Sequence, residues 1–538
     1  MKSKTCVLAW VLVGSLPLAA QPAAAQPARF PASVRSQDGS GNNPAHPEWG
    51  RAGATFRRRT AVGYENGADS PAGADRPSAR EISNALAAAT GSRPNARGAS
   101  DFLWNWGQFL DHDLDLTLTA DPAEAFDIEI PAGDPFFDPQ STGTKTMGLS
   151  RSASTTVNGV RQQTNAITAY IDASMIYGSD AERTRALRAL DGTGRLKTGP
   201  GNLLPLNEDG LPNFPTDAAV FFVAGDLRAN EQVGLLTLHS LFLREHNFWA
   251  DRIRTDNPGL SDDQIFEQAR AIVAAEIQVI TYNEFLPVLL GRGALRPYRG
   301  YRPQVDVAIE NAFATAAYRL GHSMLSSSLL RLGPNGRPIA EGSLSLAGAF
   351  FNPSALSSLG IEPYLRGMAA QRAQEIDNQV VDAVRNFLFG PPGAGGFDLA
   401  ALNIQRGRDH GLPGYNQARA DFGLPRVTSF AQITSDRTVQ AKLASVYDSP
   451  DQVDLWVGGL AENHLPGAMV GPTFFMILRD QFERLRDGDR FWYESYLPAD
   501  LVQMVRGQTL ARIIRRNTTI GNELQLNVFL VGRGPAAR

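Results

Sequence analysis

The chain has 538 residues, of which 43% are hydrophobic and 20% are charged, so it is long enough to bury a large core. Its formal net charge is only −4 at pH 7, whereas proteins that hold nucleic-acid phosphates need a strongly basic surface. The composition therefore predicts a globular protein with no nucleic-acid partner.

Residues 1–25 have the three-part pattern of a secretory signal peptide. Two lysines precede an apolar run from Cys6 to Leu18, and small residues follow as far as Ala25. This run is shorter than the ~20 residues that cross a bilayer, and we expect no membrane span elsewhere in the chain. Cleavage after Ala25 would remove Cys6, the only cysteine, so we expect a secreted or periplasmic protein without disulfides.

The rest of the chain divides by composition into two parts. Residues 26–80 are rich in Gly, Pro, Ala, Ser and Arg, which predicts an extended N-terminal arm. Over residues 81–531 apolar residues recur with the period of a helix and strand-like alternation is scarce, so we predict one large, mainly α-helical domain with few short strands. The clearest helical patterns cover residues 81–90, 235–253, 262–290, 307–326, 474–488 and 501–517.

The first polar cluster is in WGQFLDHDLDLT, residues 106–117, where His112 stands between Asp111 and Asp113. On a helix, Gln108 lies one turn before His112 on the same face, and the two aspartates point about 100° to either side. From these residues alone, a surface helix with a structural histidine is favoured over a catalytic histidine.

The second cluster is in TAYIDASMIYGSD, residues 168–180, where Thr168, Tyr170, Asp172 and Ser174 alternate. Hydroxyl, carbonyl and carboxylate oxygens suit Ca²⁺, but four of them are fewer than its usual six to eight ligands. Asp113 could add a carboxylate. An ordinary strand edge is the other interpretation.

Three further stretches carry polar residues in patterns with two interpretations. Arg228 and Glu231 share a face at the start of a predicted helix. They are interpreted either as catalytic groups or as a surface ion pair. His322 lies on an apolar predicted helix. It is interpreted either as a buried metal ligand or as an ordinary core histidine. Residues 402–416 are predicted to form a polar loop with Asn403 at its entrance.

Seven motifs occur in an order that resembles the animal-type haem peroxidases of the peroxidase–cyclooxygenase superfamily, from about residue 36 to residue 531. They are WGQFLDHD, YIDASMIYGS, LRANE, LREHN, YRLGH, NIQRGRDHGLPGYN and RLRDGDRFWYE. The resemblance implies a haem peroxidase domain. It also implies that hydrogen peroxide is used to oxidise bromide, iodide, thiocyanate or organic donors through a ferryl intermediate.

The resemblance also assigns roles around a haem b. It makes His112 the acid and base for peroxide, Arg228 the group that stabilises developing negative charge, and Gln108 a ligand for water and a small anion. His322 would bind the haem iron, and Asn403 would accept a hydrogen bond from its other ring nitrogen.

Further residues would hold the cofactors. Arg319 would pair with a haem propionate, and Asp111 and Glu231 would form ester bonds to the haem. The implied Ca²⁺ ligands are Asp113, Thr168, the Tyr170 carbonyl, Asp172 and Ser174.

The chain departs from its relatives at several points. Gln232 stands where a methionine in some members makes a third bond to haem, which predicts that bromide, iodide and thiocyanate are better substrates than chloride. Because cleavage after Ala25 would leave no cysteine, disulfide-linked dimers are not expected, and we expect a monomer. A fatty-acid dioxygenase would need a tyrosine at Arg319; the neighbouring Tyr318 is expected to face away from the haem. A non-catalytic adhesion or matrix protein is the remaining alternative.

Overall fold

The computed structural model describes residues 1, 30, 31 and 33–532, so the predicted signal peptide, apart from Met1, lies outside the described residues. The described part is mainly helical, with three small antiparallel sheets, and the predicted fold class is confirmed. The strands pair as β1 (Ile128–Glu129) with β2 (Thr146–Met147), β3 (Ser154–Val157) with β4 (Val160–Gln163), and β5 (Ser328–Leu329) with β6 (Leu344–Ser345). The α-helices are α1 (Ala79–Ile82), α2 (Phe102–Leu114), α3 (Ser174–Tyr177), α4 (Ala181–Leu187), α5 (Val233–Asp256), α6 (Asp262–Ile280), α7 (Leu286–Leu289), α8 (Asn311–Thr315), α9 (Leu346–Ala349), α10 (Pro353–Ser357), α11 (Glu362–Ala370), α12 (Asp382–Arg385), α13 (Leu399–Asp409), α14 (Tyr415–Asp421), α15 (Arg437–Ala444), α16 (Leu455–Ala461), α17 (Pro472–Asp487), α18 (Tyr493–Tyr496), α19 (Ala499–Arg506) and α20 (Leu510–Asn517).

The two longest helices, α5 and α6, pack against each other in the core, and α2 and α20 pack on α5. Side-chain caps define where both begin. Gln232 accepts a hydrogen bond from the Gly234 N–H at the start of α5, and Ser261 forms a reciprocal capping box with Gln264 at the start of α6. The helical segment 262–289 is long and apolar enough to cross a membrane, but 83% of its most apolar window is buried inside the molecule, as in a core helix.

Three predicted elements are wrong. The pattern over residues 501–517 is not one helix, because α19 ends at Arg506 and α20 begins at Leu510. The pattern over residues 307–326 is not one helix: α8 ends at Thr315, Ala316 leaves the helical region (φ −131°, ψ −66°), and a 3-10 helix carries residues 317–323, including His322. Residues 402–416 do not begin as a loop, because Asn403 lies on α13, which Asp398 caps. Apolar periodicity missed α13 because its buried face is largely polar and is stabilised by hydrogen bonds and ion pairs.

The predicted N-terminal arm runs across the body as turns and isolated bridges from residue 33 to α1. The Arg35 guanidinium donates to Asp489 at 2.8 Å, and Arg58 donates to the carbonyl of His410 at 2.8 Å. These contacts join the start of the chain to its last third.

Asp101 precedes α2 and is almost fully buried, and burial raises the pKa of its carboxyl to about 8. A carboxyl whose pKa is raised on folding contributes most to the stability of the folded state when the pH is below its pKa in the unfolded chain. That contribution is lost as the pH rises through the pKa in the folded protein. Pairs of equal pH are therefore compared, and we expect the free energy of unfolding of Asp101→Asn to rise relative to that of the wild type from pH 5. Above that pH the variant should gain relative stability by at most about 1.4 kcal/mol per pH unit up to pH 8. Urea unfolding at both pH values measures this, with the exposed Asp500→Asn as control, and a constant difference between wild type and Asp101→Asn contradicts it.

Candidate active site

A cavity of about 410 Å³ lies among α2, the segment before α5 and the 3-10 helix after α8. Its wall brings together residues that are more than 200 positions apart in the sequence. The predicted site residues that line it are Gln108, Asp111, His112, Arg228, Glu231, Arg319 and His322.

His112 lies on α2 and is only 2% exposed. Its Nδ1 is 3.5 Å from an Asp226 carboxylate oxygen, and its Nε2 is 4.0 Å from a Glu231 oxygen. Burial and the charge of Arg228 lower the pKa of His112 well below its usual value, although Asp226 opposes them. The imidazole is therefore neutral near pH 7 and able to accept a proton.

Asp226, which the sequence analysis missed, holds Arg228 in place. The Arg228 guanidinium donates to both oxygens of Asp226 at 2.9 Å and to the Asp115 carbonyl at 2.9 Å. Although burial opposes its ionisation, Arg228 keeps the pKa of Asp226 below its usual range. The available signal was the D-x-R spacing, since an aspartate that accepts from the backbone N–H two residues later forms a recognisable turn.

Two carboxyl groups of the wall have raised pKa values. Burial raises the pKa of Asp111 to about 6 and that of Glu231 to about 7, against the opposing charge of Arg228. Gln108 donates to Glu231 at 2.6 Å and accepts from Gln232 at 3.2 Å. The Gln108 amide is therefore held at both ends.

His322 is within hydrogen-bond distance of Asn403, and Asn403 in turn accepts a hydrogen bond from Arg319. Its Nδ1 lies 2.8 Å from the Asn403 amide nitrogen, while the Asn403 oxygen accepts from Arg319 at 3.2 Å. In this amide orientation the guanidinium takes the amide oxygen and the amide nitrogen faces His322, so acceptance by Asn403 from His322 stays a prediction. Burial and Arg319 lower the pKa of His322 to about 3, so the ring is neutral.

The cavity fits a haem that binds through His322. A neutral imidazole is the form that ligates iron, and Nε2 of His322 has no hydrogen-bond partner among the described residues. Arg319 and Arg406 offer positive charge for propionates, although Arg406 was not identified from the sequence. Tyr318 also borders the cavity, and its hydroxyl is buried without a hydrogen-bond partner in the described part of the chain. The expectation that its ring faces away from the haem stays a prediction.

The predicted calcium residues meet at a second, buried place next to α2. Asp113 accepts hydrogen bonds from the N–H groups of Asp172 and Ala173 at 3.0 Å each and from the Ser174 hydroxyl at 2.7 Å. Thr168 donates its hydroxyl to Asp172 at 3.1 Å. The second oxygen of Asp172 is buried and has no hydrogen-bond partner in the described part of the chain.

The nearby cations neutralise little of the negative charge of Asp113 and Asp172. Burial and the charge of Asp172 raise the pKa of Asp113. Arg35 is already paired with Asp489, and Arg270 donates to the carbonyls of Arg35 and Ser36. The described residues contain no group of three or more His, Cys, Asp or Glu side chains that could hold a metal. A cation here would therefore need hydroxyl and carbonyl ligands as well, which Ca²⁺ accepts.

Comparisons with known proteins agree over nearly the whole chain. The family model "Animal haem peroxidase" matches residues 34–529. Peroxinectin A of Dictyostelium discoideum is 37% identical over 515 residues, covering 92% of this chain and 95% of the relative. Peroxidasin of Drosophila melanogaster is 35% identical over 94% of this chain, which spans only 36% of that longer protein.

Comparison with solved structures also points to a peroxidase. Peroxidase A from Dictyostelium discoideum has 35% sequence identity and a TM-score of 0.87, with 93% of this chain and 99% of that chain covered. A fatty acid alpha-dioxygenase of Oryza sativa has a TM-score of 0.76 over 90% of this chain and 84% of that chain, but at 23% identity it shares the fold alone. The chain belongs to the animal haem peroxidase family and is a haem peroxidase.

Proposed function

We propose that this enzyme reduces hydrogen peroxide and oxidises small anions, namely bromide, iodide and thiocyanate, or organic donors. The observation that carries the proposal is the pair of buried neutral histidines, His112 and His322, on one cavity with Arg228 held beside His112. When bound, haem b would supply the redox-active iron.

Each residue has a defined task in this proposal. His112 takes a proton from one peroxide oxygen and returns it to the other, while Arg228 stabilises the negative charge that develops as the bond breaks. His322 would bind the iron through Nε2, which leaves its proton on Nδ1. Asn403 then has to turn its oxygen towards Nδ1, which frees Arg319 for a propionate.

Gln232 supports a preference among anions. It donates to Asn105 at 2.9 Å and to Gln108 at 3.2 Å, so its amide is engaged in the wall and carries no sulfur for a bond to haem. We expect thiocyanate, iodide and bromide each to be oxidised faster than chloride at neutral pH. Steady-state rates with equal anion concentrations measure this, and chloride as the fastest substrate contradicts it.

Asp111 and Glu231 are proposed to form ester bonds to the haem. Both carboxyls line the cavity, and the raised pKa of each favours the uncharged form that a buried ester replaces. We expect acidic solvent to leave haem on the purified enzyme and to extract it from an Asp111→Asn, Glu231→Gln double variant. Haem that is fully extracted from the wild type overturns the proposal, and Asp500→Asn serves as the control.

Calcium and export complete the proposal. Asp113, Asp172, Thr168 and Ser174 would hold Ca²⁺ together with the Tyr170 carbonyl, as supported by the unpaired buried oxygen of Asp172. The pattern of residues 1–25 supports secretion or export to the periplasm, which mass spectrometry of the N-terminus of the exported protein tests.

A second candidate, a haem-dependent fatty-acid dioxygenase, is favoured by one observation. Tyr318 lines the cavity, and its hydroxyl has no hydrogen-bond partner among the described residues. Uptake of oxygen with linoleate, without added peroxide, would select this function over the peroxidase.

A further inference from the structure

A chain of aromatic rings leads away from the haem cavity. Tyr318 lines the cavity and stacks on Phe313, with 4.7 Å between ring centroids. Phe482 lies 5.8 Å from Tyr318 and 6.2 Å from Tyr282. Tyr282 in turn lies 4.8 Å from Trp492. Each step is within the range of ordinary aromatic contact.

The series of aromatic rings ends at a separate cavity of about 250 Å³, which is lined by Tyr282, Tyr298, Trp492, Arg486 and Glu494. Tyr298 is 5.8 Å from Trp492 and is partly exposed. This cavity shares no lining residue with the haem cavity, so a donor bound here would be connected to haem only through the protein.

Three contacts make Trp492 the residue best suited to be oxidised. Its indole Nε1 donates to Glu494 at 3.4 Å, so the carboxylate can take the indole proton when the ring loses an electron. At Tyr298 the Arg486 guanidinium lies 5.5 Å from the ring centre, where its charge disfavours loss of an electron. The hydroxyl of Tyr282 donates to the Phe482 carbonyl, which is a poor proton acceptor.

We propose that Trp492, which borders this second cavity and is only 3% exposed, forms an oxidation site for bulky phenolic donors that cannot enter the haem cavity. Trp492 loses an electron through Tyr282 and Tyr318 to the peroxide-oxidised haem and loses its proton to Glu494. A phenol in this second cavity then returns one electron to Trp492, Glu494 returns the proton, and the phenol releases its own proton to solvent and leaves as a phenoxyl radical. Over a full cycle one hydrogen peroxide becomes two waters while two phenols each lose a hydrogen atom.

This inference rests on peroxidase activity and not on the choice of small anion. The test uses haem-loaded enzyme mixed with hydrogen peroxide and frozen for electron paramagnetic resonance, with ring-deuterated tryptophan to identify the radical. Phenol attached to dextran serves as the bulky donor and free phenol as the small one.

We expect a neutral tryptophanyl radical and oxidation of both donors by the wild type. Trp492→Phe should lose the radical and the oxidation of dextran-linked phenol but keep the oxidation of free phenol. Glu494→Gln, which keeps the ring, should lose the neutral radical. The matched control is Trp249→Phe, because Trp249 also donates to a glutamate, Glu276, but lies outside the aromatic chain.

Two results would overturn the proposal. One is a tryptophanyl radical and dextran-phenol oxidation that persist in Trp492→Phe. The other is a wild type that oxidises free phenol but not the linked form. A failure of the predicted anion preference would leave both measurements unaffected.

Discussion

Replacement of His112 by alanine is expected to slow the reaction with hydrogen peroxide about 10²–10⁴-fold, the usual contribution of a positioned acid and base. The buried imidazole has a depressed pKa and lies beside Arg228, so proton acceptance by it would need no prior deprotonation. Haem should remain bound, because His322 and the propionate partners are unchanged. Stopped-flow spectroscopy of haem-loaded enzyme measures the rate, and the Soret band measures the haem.

His46→Ala, which changes a half-buried histidine that does not line the cavity, is the control for this prediction, and its rate should equal that of the wild type. An unchanged rate in His112→Ala would mean that another group transfers the proton. Glu231 would be the next candidate, because its carboxylate oxygen is 4.0 Å from Nε2 of His112.

Removal of calcium should destabilise the enzyme and disturb the haem side of α2 together. Without a cation, Asp113 and Asp172 would face each other in a buried site, and Asp113 is the residue after His112. A ligand that binds only the folded state at a hundredfold excess over its dissociation constant stabilises by about 2.7 kcal/mol. We therefore expect a chelator to lower the melting temperature and to slow the reaction with peroxide.

The same loss should appear in Asp172→Asn, and a chelator should have no further effect on that variant. Asp209→Asn, which changes an exposed aspartate, should behave as the wild type in both conditions. A wild type whose melting temperature is unaffected by a chelator, and which contains no calcium by elemental analysis, contradicts the prediction.

Several elements could be predicted because the local pattern and the tertiary environment agree. Residues 235–253 carry a helical period and lie in α5, the core helix. Of the pattern over residues 474–488, all but the last residue lies in α17. Prediction failed where tertiary contacts replace the apolar pattern. The polar face of α13 is stabilised by pairs such as Arg408 with Asp454 and Arg151 with Asp409, and a single sequence does not reveal such partners.

The candidate site shows the same division. The motifs indicated His112, Arg228 and His322, and the structure brings these three residues to one cavity. They did not identify Asp226 or Arg406, whose importance depends on what lies next to them in space.

The sequence by itself determined the helical class, the family and the residues available for peroxide chemistry. The helical class follows from the period of apolar residues, which is local. The family and the residues available for peroxide chemistry follow from the resemblance of seven ordered motifs to the animal-type haem peroxidases. Only the tertiary structure decided which groups are neutral, which amide faces His322, and that Tyr318 borders the cavity and joins an aromatic chain to Trp492. Burial and distance set pKa values and contacts, and both arise when segments far apart in the chain come together.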